Sequence, residues 1–498
     1  MSDLVARFLS REGDSRPCVI DANGEHSHVE LVRDAKAIAA NLLAGRSSLE
    51  GARVAVLIEP GARFVAALYG VLLAGGCGLV LSPLHPLPET TYFCEDAGAV
   101  TLIVSKEHAA TGASLRSKLD VRDVDDVRSG APAQALPSIT KDADALQLYT
   151  SGTTGKPKGA VLTHENLSVQ QKLVGEAWGF SQGDVLLHSL PLHHMHGLAI
   201  ALLTALGAGA TVRMTTFDAR AIWDDMAKAT VFMGVPAMYH RLFVAFDAAD
   251  EAARERWTKN AASLRLATSG SAALPVTLAE RWRRITGSIP LERFGMTEIG
   301  VGISNLLAGP RHAGCVGRPL PTVETRIVGE DGRDVGEGES GELLIRGPSV
   351  FARYHERPKE TAAAFVDGWF RTGDTVVMDR NLPDAPFRIL GRTSVDILKS
   401  GGYKLSALEI EEVLREHPAV SEVAVVGIPD EAWGERVVAA VVARSQRVCD
   451  EATLRAFAKE RLAAYKVPKQ FVFMEELPKN ALGKVVKPTL AQIVKNSV

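Results

Sequence analysis

The sequence has few of the features that mark secreted, membrane-bound or nucleic-acid-binding proteins. Its five cysteines are an odd number, scattered over 498 residues without a C-x-x-C pair, which argues against a disulfide framework and a cysteine zinc site. The net charge of −3 leaves no excess of basic residues for nucleic acid or lipid. Glycines interrupt the longest apolar runs before they reach bilayer length, and the N-terminus lacks the apolar stretch of a signal peptide. We therefore expect a cytoplasmic protein that binds neither membranes nor nucleic acid.

What the chain does contain is the pattern of a multidomain α/β protein. At 498 residues, 46% of them hydrophobic, it is longer than one core usually serves. Between residues 27 and 105, and again after 160, helical patterns alternate with short apolar runs, which predicts parallel, buried sheets. The first of these helices opens at a capping box, Ser27–Glu30. From 315 to 391 short runs between Gly and Pro predict antiparallel strands, and a compact α+β unit follows beyond 395.

The most unusual stretch is YTSGTTGKPKG, residues 149–159, which combines three glycines, four Ser/Thr side chains and two lysines. Glycines let backbone N–H groups turn toward a ligand and the hydroxyls add donors, so a phosphate chain suits this loop. A mobile surface loop explains the same composition. It is not a Walker A loop, because Gly155 is followed by Lys-Pro instead of Lys-Ser or Lys-Thr.

This loop resembles the signature of the adenylate-forming superfamily, which includes acyl-CoA synthetases, luciferases and adenylation domains of peptide synthetases. Seven further signatures follow in the family order: LPLHHMHGL (190–198), RFGMTE (293–298), GELLIRGPSVFARYH (341–355), GWFRTGD (368–374), FRILGR (387–392), KSGGYKLSALEIE (399–411) and PKNALGK (478–484). The resemblance implies a large N-terminal domain, 1–391, of parallel-type sheets with a distorted β-barrel subdomain. A small mobile α+β domain, 395–498, follows a hinge near 392–394, where Ser394 stands in place of the usual Asp or Lys.

The resemblance also implies a two-step reaction with ATP, Mg²⁺ and CoA. A carboxylate attacks the ATP α-phosphorus, and a thiol then displaces AMP from the acyl-adenylate. Nucleotidyl transfer needs mainly positioning and charge stabilisation. The residues expected to contact ATP are Thr150, Ser151, Gly152, Thr153, Thr154, Gly155, Lys158, Phe294, Gly295, Met296, Asp374 and Arg392. Glu298, expected on a helix, matches the Mg²⁺ ligand, and Thr297 matches an α-phosphate contact.

Three further assignments follow the family motifs. Lys484 matches the catalytic lysine, whose acetylation would switch the enzyme off, and His194 matches the residue that gates the acyl pocket and the thiol tunnel. The three histidines 193, 194 and 196 would otherwise suggest a metal cluster, but no Cys or acid joins them at ligand spacing. Ser400, Gly401 and Gly402 match the segment that lines the path of CoA once the C-terminal domain has rotated.

The acid is predicted from a resemblance to malonyl-CoA synthetases, which implies a place in fatty acid metabolism. GVPAMYHRLF (234–243) resembles their segment in which an arginine, here Arg241, holds the distal carboxylate, and SGSAALP (269–275) places Ser269 and Gly270 in the same pocket. Val301 stands where these relatives often have Met, so methylmalonate is a second candidate. The alternatives are a medium-chain or aryl acyl-CoA synthetase, an adenylation enzyme that loads a carrier protein, and an adenylate-binding protein without turnover.

Overall fold

The computed structural model describes residues 2–150, 157–444, 449–480 and 483–496. The predicted ATP contacts Ser151, Gly152, Thr153, Thr154 and Gly155 lie outside the described residues. Among those described, no helix has both the length and the apolar character needed to cross a membrane.

The N-terminal half of the chain alternates helices and strands, as its hydrophobic pattern predicts. The order is α1 (Asp3–Leu9), β1 (Pro17–Asp21), β2 (Gly24–Ser27), α2 (His28–Leu43), β3 (Arg53–Leu57), α3 (Ala62–Leu73), β4 (Cys77–Val80), α4 (Leu87–Asp96), β5 (Thr101–Val104), α5 (Ala109–Leu115), β6 (Asp120–Asp123), α6 (Val124–Arg128), β7 (Asp144–Thr150), β8 (Lys158–Thr163), α7 (His164–Ala177), β9 (Val185–His188), a π-helix (His196–Leu203), α8 (Thr204–Ala208), β10 (Thr211–Met214), α9 (Ala219–Asp225), β11 (Val231–Gly234), α10 (Pro236–Asp247), α11 (Glu251–Ala262), β12 (Leu266–Ser269), α12 (Val276–Thr286), β13 (Leu291–Met296) and β14 (Gly300–Ser304). The capping box is present at the start of α2, where the Ser27 Oγ accepts the Glu30 N–H and the Glu30 carboxylate accepts the Ser27 N–H.

Short strands dominate the next segment, and a small α+β unit ends the chain. The segment contains β15 (Arg318–Pro319), β16 (Glu324–Val328), β17 (Gly341–Arg346), β18 (Arg353–Tyr354), α13 (Pro358–Ala363), β19 (Phe365–Val366), β20 (Trp369–Met378) and β21 (Phe387–Arg392). The final unit contains β22 (Ile397–Ser400), β23 (Tyr403–Ser406), α14 (Ala407–Arg415), β24 (Val420–Asp430), β25 (Gly434–Ala443), α15 (Glu451–Arg461), β26 (Gln470–Phe473) and α16 (Lys487–Asn496).

Within the described residues these strands form four sheets. Two are largely parallel, with the orders β15-β14-β13-β12-β11-β9-β10-β1-β2 and β18-β8-β7-β4-β3-β5-β6. A third, antiparallel sheet has the order β16-β17-β20-β19, with β21 paired to β20. The C-terminal sheet has the order β23-β22-β25-β24, with β26 parallel to β25. The predicted α/β class and the antiparallel texture after 315 are both confirmed.

The apolar cores follow the same division of the chain. The largest cluster of buried side chains extends to Phe387 and Ile389, whereas two others contain only residues from Leu398 to Val494. In the described part of the chain, no such cluster combines residues from both sides of positions 392–397. The predicted hinge residue Ser394 lies in the turn that joins β21 to β22. We call residues 395–498 the C-terminal domain below.

Candidate active site

The glycine loop is bounded by an antiparallel pair of strands. Thr150, the last residue of β7, pairs with Lys158, the first residue of β8. The Lys158 ammonium lies 5.3 Å from the centre of the Tyr354 ring, and the Tyr354 hydroxyl donates a hydrogen bond of 2.8 Å to Glu298 Oε1. Tyr354 therefore connects the end of the phosphate loop to the carboxylate that the sequence assigns to the metal.

Glu298 lies in the turn between β13 and β14, so its expected place on a helix is wrong. The turn reverses the chain into an antiparallel partner strand, as the pairing of Met296 with Gly300 demonstrates. Burial raises the pKa of Glu298, while the Tyr354 hydrogen bond and the charges of Arg392 and Lys158 oppose that shift. The site therefore keeps a carboxylate at low solvent exposure, stabilised by one hydroxyl and two cations. Thr297 precedes it in the same turn.

Asp374 and Arg392 stand opposite each other on β20 and β21. Arg392 Nε lies 3.3 Å from Asp374 Oδ1, and its Nη1 donates 2.6 Å to the Thr372 carbonyl. Burial raises the pKa of Asp374 to about 6, which the Arg392 charge opposes. A buried carboxylate beside an arginine is suited to accept two sugar hydroxyls.

Lys484 lies between β26 and α16, in a turn where its N–H donates 3.0 Å to Asn480 Oδ1. The residue is exposed, but the protein around its ammonium group desolvates that group and lowers its pKa. The charges of Arg392 and Arg293 lower the pKa further, whereas Asp374 raises it. The charges of two arginines and one aspartate therefore act on the Lys484 ammonium, and the excess of positive charge favours an anion.

Three histidines line the same region. The His193 ring lies 4.1 Å from the ring of His194 and 5.5 Å from that of His85. Burial lowers the pKa of His193 to about 3 and that of His194 to about 4, with Lys484 contributing to the second shift. Both imidazoles are therefore neutral near pH 7. No group of three or more His, Cys, Asp or Glu residues suited to a metal ion occurs in the part of the chain that the structure describes.

The predicted acid pocket lies where three parallel strands end. Gly234 of β11 pairs with Ser269 of β12, which pairs in turn with Glu292 of β13, so Gly270 and Arg293 follow at the same sheet edge. Ligands of open α/β sheets bind at the carboxyl ends of strands. Ser269 is 1% exposed, and among the described residues its hydroxyl has no hydrogen-bond partner.

Arg293 is the most unusual side chain at this edge. It is only 6% exposed, yet its Nε and Nη2 find no hydrogen-bond partner within residues 2–150, 157–444, 449–480 and 483–496. Burial lowers its pKa to about 10. Gly270 makes room for it, since an added Cβ would lie 2.4 Å from Arg293 Nε. Leaving buried donors unpaired is costly, so this guanidinium is built to receive an anion.

Both parts of the chain match the same enzyme family. The AMP-binding enzyme family matches residues 6–355, and the AMP-binding enzyme C-terminal domain matches residues 409–484. The chain belongs to the AMP-binding enzymes. The mitochondrial malonate–CoA ligase of Mus musculus is 39% identical over 95% of this chain and 88% of that protein. The malonate–CoA ligase of Arabidopsis thaliana is 38% identical over 91% of this chain and 79% of that protein.

Among solved structures, ATP-bound MatB from Rhodopseudomonas palustris superimposes on this AMP-binding enzyme with a TM-score of 0.91. The two are 34% identical, and the match covers 100% of each chain. The resemblance to adenylate-forming enzymes, drawn from the sequence motifs, is thereby confirmed, as is the fold class. The roles of individual residues rest on the geometry of this AMP-binding enzyme.

The structure brings together most of the assigned residues that it describes. Lys484, Asp374 and Arg392 act on one another electrostatically, as do Glu298, Lys158 and Arg392. Phe294, Gly295 and Met296 end strand β13 just before Thr297 and Glu298, and Val301 is buried on β14 opposite Gly295.

Two further sets of assigned residues lie on other elements of the structure. Arg241 is exposed on α10, with its guanidinium 4.6 Å from the centre of the Phe217 ring, and it forms no ion pair with any described residue. Its role in the acid pocket stays a prediction. Ser400, Gly401 and Gly402 belong to the hairpin of β22 and β23, whose Lys399 and Lys404 ammonium groups lie 3.0 and 3.1 Å from Glu330 Oε1.

Sequence reasoning missed four residues of the site. Arg293 and Tyr354 lie inside motifs that carried the resemblance, yet neither was given a role. His196 is buried, with Nδ1 3.1 Å from the Ser271 hydroxyl and Nε2 without a partner among the described residues. His85 follows β4, far from the other histidines in sequence. Only burial and contact distances separate these residues from ordinary core polar groups.

Proposed function

We propose that this enzyme is an ATP-dependent acid–CoA ligase that converts malonate, ATP and CoA to malonyl-CoA, AMP and pyrophosphate. The observation that carries the proposal is the buried Arg293 guanidinium. It has two donors without a partner among the described residues, and its charge acts on Lys484, as do the charges of Asp374 and Arg392. The tail of a monocarboxylate has no charge for a second buried cation to pair with, whereas the distal carboxylate of a dicarboxylate needs such a cation. Relatives named malonate–CoA ligases, 37–39% identical, support the same acid.

In the first half-reaction, one malonate carboxylate oxygen attacks the ATP α-phosphorus and pyrophosphate leaves. Lys484 would meet the negative charge that develops on the phosphoryl oxygens, where preorganised cations are most effective. Asp374 would accept the ribose hydroxyls, and Lys158 would hold the outer phosphates. No side chain is required as a nucleophile, because positioning and charge stabilisation are sufficient.

Glu298 is the residue that would hold Mg²⁺ in this step. A single carboxylate fits that ion, which usually keeps several waters and takes its remaining ligands from substrate phosphates. Tyr354 orients the Glu298 carboxylate through its hydrogen bond to Oε1. When bound, Mg²⁺ would neutralise phosphate charge.

In the second half-reaction, the CoA thiol attacks the acyl carbon and AMP leaves with the carboxylate oxygen. The thiol proton passes to water or to the phosphate of the departing AMP. His194 and His193 are neutral near pH 7, so they carry no charge in this step. The hairpin with Gly401 and Gly402 contacts Glu330 in this structure, away from Lys484. Rotation of the C-terminal domain about residues 392–394 would exchange Lys484 for this hairpin, as domain closure does in many enzymes.

The distal carboxylate is assigned to Arg293, with His196 and Ser269 as neighbouring polar groups. Arg241 is retained as a second candidate, because it lies on α10, the helix that follows the Gly234 end of β11. Val301 leaves more room on the pocket floor than a longer side chain would, so methylmalonate is the second acid to test. Acetylation of Lys484 would remove its charge and stop the first half-reaction.

A panel of acids tests the proposal. Release of AMP that depends on CoA should be fastest with malonate or methylmalonate, and slow with butyrate, octanoate and benzoate. A preference for octanoate or benzoate would leave a general acyl-CoA synthetase. Adenylation of malonate with no discharge to CoA, but discharge to a carrier protein, would favour the loading enzyme instead.

A further inference from the structure

One contact joins the C-terminal domain directly to a helix beside the acid pocket. The Val276 N–H, at the start of α12, donates 2.9 Å to Oε2 of Glu412, which lies on α14. The two residues are on opposite sides of the hinge turn, so the hydrogen bond links two domains. The other Glu412 oxygen forms an ion pair with Arg415 of the same helix.

Glu412 supplies a hydrogen-bond acceptor that α12 lacks at its N-terminus. The first N–H groups of a helix have no partner within the helix, and a carboxylate there also interacts favourably with the helix dipole. The residue before α12 is Pro275, whose side chain offers no acceptor, and no side-chain cap occurs among the described residues. A glutamate from the other domain therefore stabilises the start of this eleven-residue helix.

The chain just before α12 forms part of the acid pocket. We call residues 269–275 the pocket segment. It begins at the buried Ser269, continues through Gly270 against Arg293, and reaches Ser271, whose hydroxyl lies 3.1 Å from His196 Nδ1. Ser271 has a φ of +67°, a conformation that a serine adopts only when its surroundings hold it there. Leu274, 3% exposed, anchors the far end of the segment.

Glu412 and Lys484 belong to the same domain, so they arrive at the N-terminal domain together. When Lys484 stands beside Asp374 and Arg392, Glu412 stands at the start of α12. A rotation about residues 392–394 would remove both at once. The start of α12 would then lose its acceptor, only a few residues from the side chains that meet the acid.

We propose that Glu412 is a positioning residue that couples the acid pocket to the adenylation arrangement of the two domains. Its carboxylate fixes the start of α12, and through it the pocket segment, only while Lys484 is in place. Tight acid binding is thereby confined to the state that can adenylate, and the pocket loosens when the domain turns to admit CoA. The inference rests on the proposed function, since it concerns the same acid site.

The chain offers a matched control in Glu330. Its carboxylate also joins the two domains, through Lys399 and Lys404, but it lies in the loop between β16 and β17 and has no contact with the pocket segment in the described structure. Glu330 is 66% exposed and Glu412 is 32% exposed, so neither carboxylate is part of a closed core and the replacement of each should be tolerated. The two variants therefore separate loss of domain docking from loss of the link to the pocket.

The test compares Glu412→Ala, Glu412→Gln and Glu330→Gln in the two half-reactions. Pyrophosphate release from acid and ATP measures adenylation, and thioester formation from synthetic malonyl-adenylate and CoA measures the second step. We expect Glu412→Ala to raise the KM for the acid in adenylation by about five- to tenfold, the loss of one charge-assisted hydrogen bond. The KM for ATP and the thioester step should change less than about twofold, a margin typical of surface substitutions. Glu412→Gln, which keeps an acceptor but no charge, should fall between wild type and Ala.

The outcomes distinguish failure of the coupling through Glu412 from failure of the proposed malonate activity. Equal effects of Glu412→Ala and Glu330→Gln on the KM for the acid would overturn the coupling, as would an equal rise in the KM for ATP. Wild-type enzyme in the same assay reports whether malonate is a substrate at all. If another acid is preferred, the same comparison is made with that acid. The test of the coupling therefore does not depend on which acid the enzyme prefers.

Discussion

The buried guanidinium of Arg293 permits the sharpest test of the acid pocket, through Arg293→Met. Methionine matches the length of the arginine stem and removes the charge. Burial lowers the pKa of Arg293 from 12.5 to about 10, which corresponds to a desolvation cost on the order of 3 kcal/mol in the free enzyme. Replacing unpaired buried charge with an apolar side chain is often neutral or stabilising, so the free energy of unfolding should stay level or rise by roughly 1–3 kcal/mol.

The activity of Arg293→Met with malonate should fall, although its stability stays level or rises. Without the guanidinium, the distal carboxylate of malonate loses its hydration in the pocket and no cation compensates for that loss. The cost should be about 2–5 kcal/mol, which lowers kcat/KM for malonate roughly thirtyfold to several-thousandfold. Butyrate carries a methyl group in place of that carboxylate, so its use should fall far less or increase. The quantity to measure is the ratio of kcat/KM for malonate to that for butyrate, alongside urea denaturation of the same protein.

Arg241→Ala tests the second candidate for the distal carboxylate, whose guanidinium is exposed and rests on Phe217. We expect it to leave the malonate-to-butyrate ratio within about twofold of wild type, as surface substitutions usually do. If Arg293→Met keeps the wild-type ratio while Arg241→Ala abolishes the preference, the carboxylate belongs to Arg241 and the reasoning from burial is refuted. Loss of stability in Arg293→Met would show that the guanidinium serves the fold.

Four other predictions concern single groups of the site and its support. Lys484→Ala should abolish pyrophosphate release but spare thioester formation from synthetic acyl-adenylate, because its charge is needed only in the first step; equal loss in both assays would make the lysine structural. The pKa of Asp374 is raised to about 6 by burial, so adenosine, which has no phosphate to titrate in this range, should bind more weakly as the pH falls through 6, and Asp374→Asn should remove that dependence in a calorimetric titration. Burial raises the pKa of Glu292 to about 8 from 4.5, so the stability that its neutral form supplies is complete below pH 4.5 and is lost as the pH rises through 8. Glu292→Gln should therefore be less sensitive than wild type to a change from pH 6 to pH 9 in urea denaturation. Tyr354→Phe removes the hydrogen bond to Glu298 and should raise the Mg²⁺ concentration needed for half-maximal adenylation by about three- to tenfold, with little change in the KM for the acid.

The sequence predicted what depends on local pattern and on motif order. The capping box at Ser27, the strand before Thr150 and the antiparallel strands after 315 follow from local propensity, which neighbours in sequence largely decide. Asp374 and Arg392 were assigned from separate motifs, and they meet because β20 and β21 pair in register. The sequence could not reveal that Arg293 loses its partners on burial, since that depends on β12, β13 and Gly270 converging from distant parts of the chain.

Glu298 was expected on the wrong kind of element, and the surroundings of Arg241 could not be predicted. Glu298 reads as helical because GMTE contains no turn-forming Asn or Pro, yet the strand after it turns the chain back at Gly300, whose φ of +65° only glycine adopts readily. Arg241 occupies the second turn of α10 as expected, but the helix presents it to solvent. The face that a helical residue occupies is decided by what the helix packs against, which no single helix sequence contains.

The central claim is that the acid passes through an acyl-adenylate, and oxygen transfer tests it most directly. Malonate labelled with ¹⁸O in its carboxylates is incubated with the enzyme, ATP, Mg²⁺ and CoA, and the products are analysed by mass spectrometry. The attacking carboxylate oxygen stays on phosphorus when the thiol releases AMP, so each malonyl-CoA formed should be matched by one AMP that carries a single ¹⁸O. Label in phosphate together with ADP, or malonyl-CoA formed with unlabelled AMP, would contradict the account.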